Sequence, residues 1–322
     1  MWAYQMTELI VNAMILVGSL FLLGLVSDRV IRYVTALSEI FGMSEMAAGF
    51  ILLSISTSLP ELSVSIIASL IGEGGLSLGN VLGSNVANLT VIMGLAIVLS
   101  KAKVTIEEES QKELVQFLFL SSVIPLFVVQ RGSLSLALGV ILLILFAYFT
   151  VTVSKKAPKT QSLQPVSNMD KVMVTAKFAI SVLVIIAISK FTVDSGVAIA
   201  TIAGVPPSVI GATIVGLGTS LPELATTIQA LRAGMSNMAL GNLIGSCITN
   251  ITLILGTSSL ITCCEVNVTS VGGLMFFVLL STLYVWYILG TRKNIEKRVA
   301  YFLIAIYCAF ILQELGFSLF IF

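Results

Sequence analysis

The sequence predicts an all-α polytopic membrane protein of ten transmembrane helices, built as two inverted five-helix repeats with helices 2 and 7 broken. Three observations carry that expectation. The 322 residues are 57% hydrophobic and 10% charged, with a mean hydropathy of +1.07. Ten apolar runs are long enough to cross a bilayer. A stretch of the first half recurs in the second.

Composition excludes several classes at once. A soluble domain carries about 25% charged residues, and 16 acids with 17 bases cannot cover a globular surface of this size. The net charge of +1 gives no hold on nucleic acid. With no histidine, imidazole metal sites, Ser-His-Asp catalysis and His proton relays are unavailable. The four cysteines, Cys247, Cys263, Cys264 and Cys308, lie in or beside apolar segments and suggest no disulfide framework.

The apolar runs fall near 7–30, 45–71, 77–99, 113–130, 133–153, 172–194, 206–231, 239–262, 268–290 and 298–321. The first has no basic residue before it and no small-residue cleavage site after it, so it reads as a span rather than a signal peptide. Fifteen of the 17 Lys and Arg fall on the side reached after the first span; only Arg131 and Lys190 fall on the other. The positive-inside rule then puts the basic loops in the cytoplasm and both termini outside. The polar stretch 154–171 reads as a cytoplasmic linker between halves 1–153 and 172–322. Asp28 and Asp194 are expected at helix ends, Lys190 to snorkel, and Trp2, Tyr4 and the aromatics of 315–322 to anchor at the interfaces.

Residues 49–94 align without gaps on 211–256, with 19 of 46 positions identical. TSLPEL recurs at 57–62 and 219–224, LGN at 78–80 and 240–242, GS at 83–84 and 245–246, and Asn88 matches Asn250. Five spans is an odd number, so the second half must be upside down relative to the first. Inverted repeats are a signature of secondary transporters, whose site lies at the repeat interface near the midplane.

Glu61 and Glu223 sit mid-span at equivalent positions. A carboxylate at the bilayer centre costs about 2.5–3.5 kcal/mol on insertion scales. No Lys or Arg lies at mid-depth, so a bound metal cation is the natural countercharge. The plain alternative is a pair of protonated glutamates hydrogen-bonded across the interface. Pro60 and Pro222 remove an amide donor just before each acid, which should break spans 2 and 7 near 54–60 and 216–222 and free carbonyls to line a cavity. Thr57 and Thr219 stand four residues before the acids. Asn80, Ser84, Asn88 and Asn242, Ser246, Asn250 each make a polar stripe. Ion ligation suits Ser84, Asn88, Ser246 and Asn250, and interhelical hydrogen bonding suits Asn80 and Asn242. Gly79, Gly83, Gly241 and Gly245 form small-xxx-small patterns that permit close helix approach. An inventory of oxygens alone suits hard cations such as Ca²⁺.

Paired TSLPE and GN–GS–N motifs in inverted halves resemble the α-repeats of the sodium/calcium exchangers, within the cation/Ca²⁺ exchanger superfamily. The resemblance implies that Glu61 and Glu223 bind Ca²⁺ and share Na⁺, and that Thr57 and Thr219 give carbonyls to Ca²⁺. It implies sodium sites at Ser58, Ser84, Ser220 and Ser246, with added carbonyls near Ser54 and Gly216. It also implies alternating access, with spans 1 and 6 sliding against the rest. Ser56 stands where the second motif has Gly218, and Asn250 stands where some relatives have the Asp linked to potassium dependence. The short linker leaves no room for a calcium-sensing domain, which fits a prokaryotic type.

The expected activity is electrogenic, K⁺-independent Na⁺/Ca²⁺ antiport with no cofactor and no obligate protein partner, as a monomer in the cell membrane. H⁺/Ca²⁺ antiport through the same glutamates is the nearest alternative. A passive cation channel is another class, though channels usually gather identical subunits around one axis. An intramembrane enzyme would need a nucleophile–base dyad beside the acids, and none is present.

Overall fold

The computed structural model describes residues 2–70, 72, 74–100, 104–105, 108–131, 135–155, 168–202, 216–261 and 268–315. The linker beyond Lys155, the start of the seventh run and the C-terminal aromatics lie outside these residues.

The first apolar run belongs to α1 (Trp2–Phe41) and the sixth to α9 (Asn168–Ile202). Both helices outrun their apolar stretches because no proline interrupts either. Asp28, Lys190 and Asp194 therefore lie inside helices rather than at their ends. Arg32 pairs with Asp28 one turn away, and Lys190 donates to Asp194 at 2.7 Å, an exposed ion pair in place of the expected snorkelling lysine.

The second run is broken. It comprises α2 (Glu45–Ala48), a π-helical segment (Gly49–Ser54), α3 (Ile55–Thr57) and α4 (Leu59–Leu70), with a 45° bend between Thr57 and Leu59. Ser58 at the bend has φ −84° and ψ 7°. The seventh run repeats the device. After α10 (Gly216–Thr219), Ser220 takes φ −85° and ψ 6°, and α11 (Leu221–Arg232) follows. In each case the proline is the second residue of the new helix, where its missing N–H leaves no intrahelical partner unserved.

The third and eighth runs form the centre. The third is α5 (Gly74–Ala87), a π-helical turn (Asn88–Ile92) and α6 (Met93–Ser100). The eighth is α12 (Ser236–Thr249), a π-helical turn (Asn250–Ile254) and α13 (Leu255–Ile261). Each π turn opens on the repeated asparagine, and single π turns inside α-helices frequently mark functional sites. Within Ser77–Ser100 and Ser236–Ile261 nearly every residue of the apolar stretch is buried.

Around them stand α7 (Glu108–Arg131), α8 (Leu136–Lys155), α14 (Val268–Thr291) and α15 (Lys297–Glu314). Strands β1 (Val104–Thr105) and β2 (Asn294–Ile295) pair antiparallel, tying the loop after α6 to the loop before α15. The periphery is apolar and exposed: Ile10, Met14, Val17 and Phe21 on α1, Ile144 on α8, and Ile180 and Leu183 on α9. Such surface suits hydrocarbon, not water. Among the described residues, five helices are long and apolar enough to cross a membrane, and a sixth span results if the bent pair Glu45–Leu70 counts as one. The protein is a multi-pass membrane protein.

Gly241 and Gly245 place their backbones against the second run. A Cβ on Gly241 would stand 2.6 Å from the Met46 carbonyl oxygen, and one on Gly245 would stand 2.7 Å from the Phe50 ring. Gly49 makes the tightest approach, its Cβ position being 2.3 Å from the Met238 carbonyl oxygen. Gly83 backbone atoms lie 3.8 Å from the Cβ position of Gly216. Around the corresponding point at Gly79, nothing described lies within 4 Å.

Candidate ion-binding site

The two broken runs meet at their bends. Glu61 and Glu223, each in the first turn of its new helix, are fully buried. Their hydroxyl partners are crossed between the halves. Ser220 donates to Glu61 Oε1 at 3.2 Å, and Ser58 donates to Glu223 Oε1 at 3.1 Å. Ser246 adds a donor to Glu223 Oε1 at 3.2 Å. The second oxygen of each carboxylate, Oε2, is buried with no hydrogen-bond partner.

Backbone oxygens converge on the same region. Ser84 donates to the Gly216 carbonyl at 3.4 Å and Thr219 at 3.2 Å, while the single hydroxyl proton of Ser220 is shared between that carbonyl, also at 3.2 Å, and Glu61 Oε1. In the other half Thr57 donates to Leu53 O at 3.0 Å and reaches Asn242 Oδ1 at 3.4 Å, while Ser54 turns back onto Phe50 O.

The repeated asparagines divide into two kinds. Asn80 Nδ2 ties α5 to α4 through Glu61 O at 3.1 Å and Ser65 Oγ at 3.0 Å. Asn242 Nδ2 reaches Thr226 Oγ1 at 3.1 Å and Thr227 Oγ1 at 3.0 Å. Asn88 is buried with neither amide atom bonded, and Asn250 Oδ1 is likewise unpartnered. Four buried acceptors of the candidate site, Glu61 Oε2, Glu223 Oε2, Asn88 Oδ1 and Asn250 Oδ1, stand without a donor, as does Asn80 Oδ1 on a helix-packing asparagine. A buried polar group without a partner is costly, and a cation is a partner that such oxygens accept.

The described ion pairs, Arg32–Asp28 and Lys190–Asp194, involve neither glutamate. Among the described residues no three His, Cys, Asp or Glu cluster. The site is two carboxylates in a setting of neutral oxygens. Sequence reasoning did not single out Ser65, Thr226, Thr227 and Asn85. The first three anchor the helix-packing asparagines. Asn85 accepts from Asn250, and the signal available for it was the break in the repeat, where Cys247 stands opposite.

A buried, paired-carboxylate centre between two duplicated broken helices defines a membrane cation transporter of the duplicated-repeat type. The family described as "Sodium/calcium exchanger protein" matches residues 11–155 and again 173–315. The chain therefore belongs to the sodium/calcium exchanger family, whose members are membrane antiporters and not enzymes. It is 32% identical over 270 residues to "Inner membrane protein YrbG" of Escherichia coli (strain K12), covering 80% of this chain and 82% of that protein. It is 31% identical over 295 residues to "Sodium/calcium exchanger MaX1" of Methanosarcina acetivorans, covering 78% and 83%. Among solved structures it resembles the sodium-calcium exchanger NCX_Mj, with TM-score 0.78 and 25% identity over 95% of this chain and 99% of that one.

Proposed function

We propose that the protein exchanges Na⁺ for Ca²⁺ across the cell membrane by alternating access, electrogenically and without K⁺. The observation that carries this reading is the pair of fully buried carboxylates, Glu61 and Glu223, each with one oxygen unpartnered and, among the described residues, no basic residue paired with it.

Calcium takes six to eight oxygens at about 2.3–2.6 Å. Glu61, Glu223, the amide oxygens of Asn88 and Asn250, and the carbonyls of Thr57 and Thr219 supply such a set. Sodium sites flank it at Ser58, Ser84, Ser220 and Ser246, with the Ser54 and Gly216 carbonyls. The crossed bonds support this division. Each serine hydroxyl that now serves the opposite carboxylate can turn its oxygen to a sodium ion instead.

With both glutamates ionised the empty site holds about two negative charges. One Ca²⁺ neutralises it, and three Na⁺, the ratio the family resemblance implies, leave one positive charge. Both ions need the same carboxylates, so they displace one another and exchange follows. The whole chain is read as ten spans in two inverted halves, 1–153 and 172–322, with both termini outside and the linker 154–171 in the cytoplasm. α1 and α9 form the sliding unit. They pack on each other along their length far more than either packs on the rest.

Purified protein in proteoliposomes should take up ⁴⁵Ca²⁺ down an imposed sodium gradient, without added K⁺. Uptake that follows a pH gradient and ignores sodium would replace this reading with H⁺/Ca²⁺ antiport. Flux with no counter-gradient at all would mean a channel.

A further inference from the structure

The repeat breaks its own symmetry at the centre of the fold. Asn85, on α5, stands where the second half has Cys247, on α12. Each lies three residues before the asparagine that opens its π turn. Asn85 Nδ2 donates to the Cys247 backbone carbonyl at 3.1 Å, and Asn250 Nδ2 donates to Asn85 Oδ1 at 3.0 Å.

Chemistry fixes the direction of this chain. A backbone carbonyl can only accept, so Asn85 must turn its NH₂ group to Cys247. That leaves Asn85 Oδ1 for Asn250, which must in turn present its own NH₂ group. Asn250 Oδ1 is what remains, buried and unpartnered. The other half has no equivalent. Cys247 offers a thiol, 4.0 Å from the Asn85 carbonyl oxygen, and Asn88 has neither amide atom bonded.

We infer that Asn85 is a positioning residue for cation binding: across the repeat interface it holds the Asn250 amide with its oxygen toward the ion, while the Asn88 amide has no hydrogen bond to hold it. The two halves of the site are then chemically unequal, one amide anchored by a side chain of the other half and one not. The inference rests on the reading that the Glu61–Glu223 centre binds the transported cation. Residues that orient a metal ligand in this way typically contribute about 10–100-fold to metal affinity.

The test is a double-mutant cycle in proteoliposomes, with half-saturating Ca²⁺ and maximal rate measured separately. Asn85→Leu keeps the volume and removes both bonds. It should raise half-saturating Ca²⁺ about tenfold with the maximal rate within about twofold. Asn250→Ala should do the same. The combined variant should be no worse than Asn250→Ala alone, because Asn85 acts through that amide. Cys247→Ser, which keeps the backbone acceptor, should match the wild type. A merely structural Asn85 would lower the rate and would add its effect in the Asn250→Ala background. An unchanged half-saturation in folded Asn85→Leu, or effects that multiply in the pair, overturns the assignment. Where Asn85→Leu does not elute as a single folded species in detergent, Asn85→Ser, too short to bridge, takes its place. Absence of Ca²⁺ flux in the wild type would instead sink the transport reading, and the cycle would then be read as ⁴⁵Ca²⁺ binding to the purified protein.

Discussion

Glu61 and Glu223 are equivalent in sequence, and each takes a donor from the opposite half: Ser220 serves Glu61, and Ser58 serves Glu223 alongside Ser246 of Glu223's own half. Each half is therefore incomplete without the other. Glu61→Gln and Glu223→Gln each replace a charged oxygen with an amide nitrogen that repels a cation. Both should reduce ⁴⁵Ca²⁺ flux by at least about 100-fold, since a lost charged contact in a buried site is worth about 3–5 kcal/mol. Full activity in either variant would remove that glutamate from the site. Ser58→Ala and Ser220→Ala remove one hydroxyl each. In the proposed sites each hydroxyl oxygen is a sodium ligand, so its removal should raise the sodium concentration for half-maximal exchange; an unchanged value would remove that serine from the sodium sites.

At the scale of elements, packing turns on where one helix backbone meets another. Gly49→Ala would put a methyl 2.3 Å from the Met238 carbonyl oxygen, between two backbones that cannot both yield. Overpacking of this kind costs about 1–3 kcal/mol, so thermal unfolding in detergent should begin several degrees lower. Gly79→Ala meets nothing described within 4 Å, and its melting temperature should stay at or above the wild type, since alanine favours helix over glycine by about 1 kcal/mol. Equal losses in the two variants would contradict the packing. The motif pattern alone points to Gly79, which sits in a repeated small-xxx-small pattern, and not to Gly49, which sits in none. Helix orientation decides which one touches a neighbour. The bends at Ser58 and Ser220, by contrast, were legible directly, because proline removes a donor wherever it stands.

For the whole molecule, the proposed alternating access would have α1 and α9 move as a unit past the remaining helices. Thr35 of α1 lies with its hydroxyl 3.5 Å from Met235 Sδ, at the start of α12. A Thr35→Cys/Met235→Cys pair, once oxidised, should stop sodium-driven Ca²⁺ uptake, and reduction should restore it. Uptake that persists through complete cross-linking would show that α1 does not slide there. The proposed net movement of one charge per cycle gives a second test. A membrane potential of 100 mV is worth about 2.3 kcal/mol per charge, so clamping the potential should shift the steady-state Ca²⁺ gradient by about fiftyfold. No shift would make the exchange electroneutral.

Sequence by itself determined the membrane class, the duplicated halves, the breaks in the second and seventh runs and the two carboxylates. Each follows from a one-dimensional fact: scarcity of charge, a repeat at fixed offset, a proline, an acid in an apolar run. Only the tertiary structure decided who partners whom. In a duplicated chain, Ser58 and Ser220 stand at identical distances from the acid of their own half, so spacing cannot say that each serves the other half. The same holds for Asn85, whose bond to Asn250 spans 165 residues. It also holds for Gly49, pressed against Met238 of the other half although no motif marks it. Contacts across a repeat interface depend on how the halves dock, and docking is set by the packed surfaces of both.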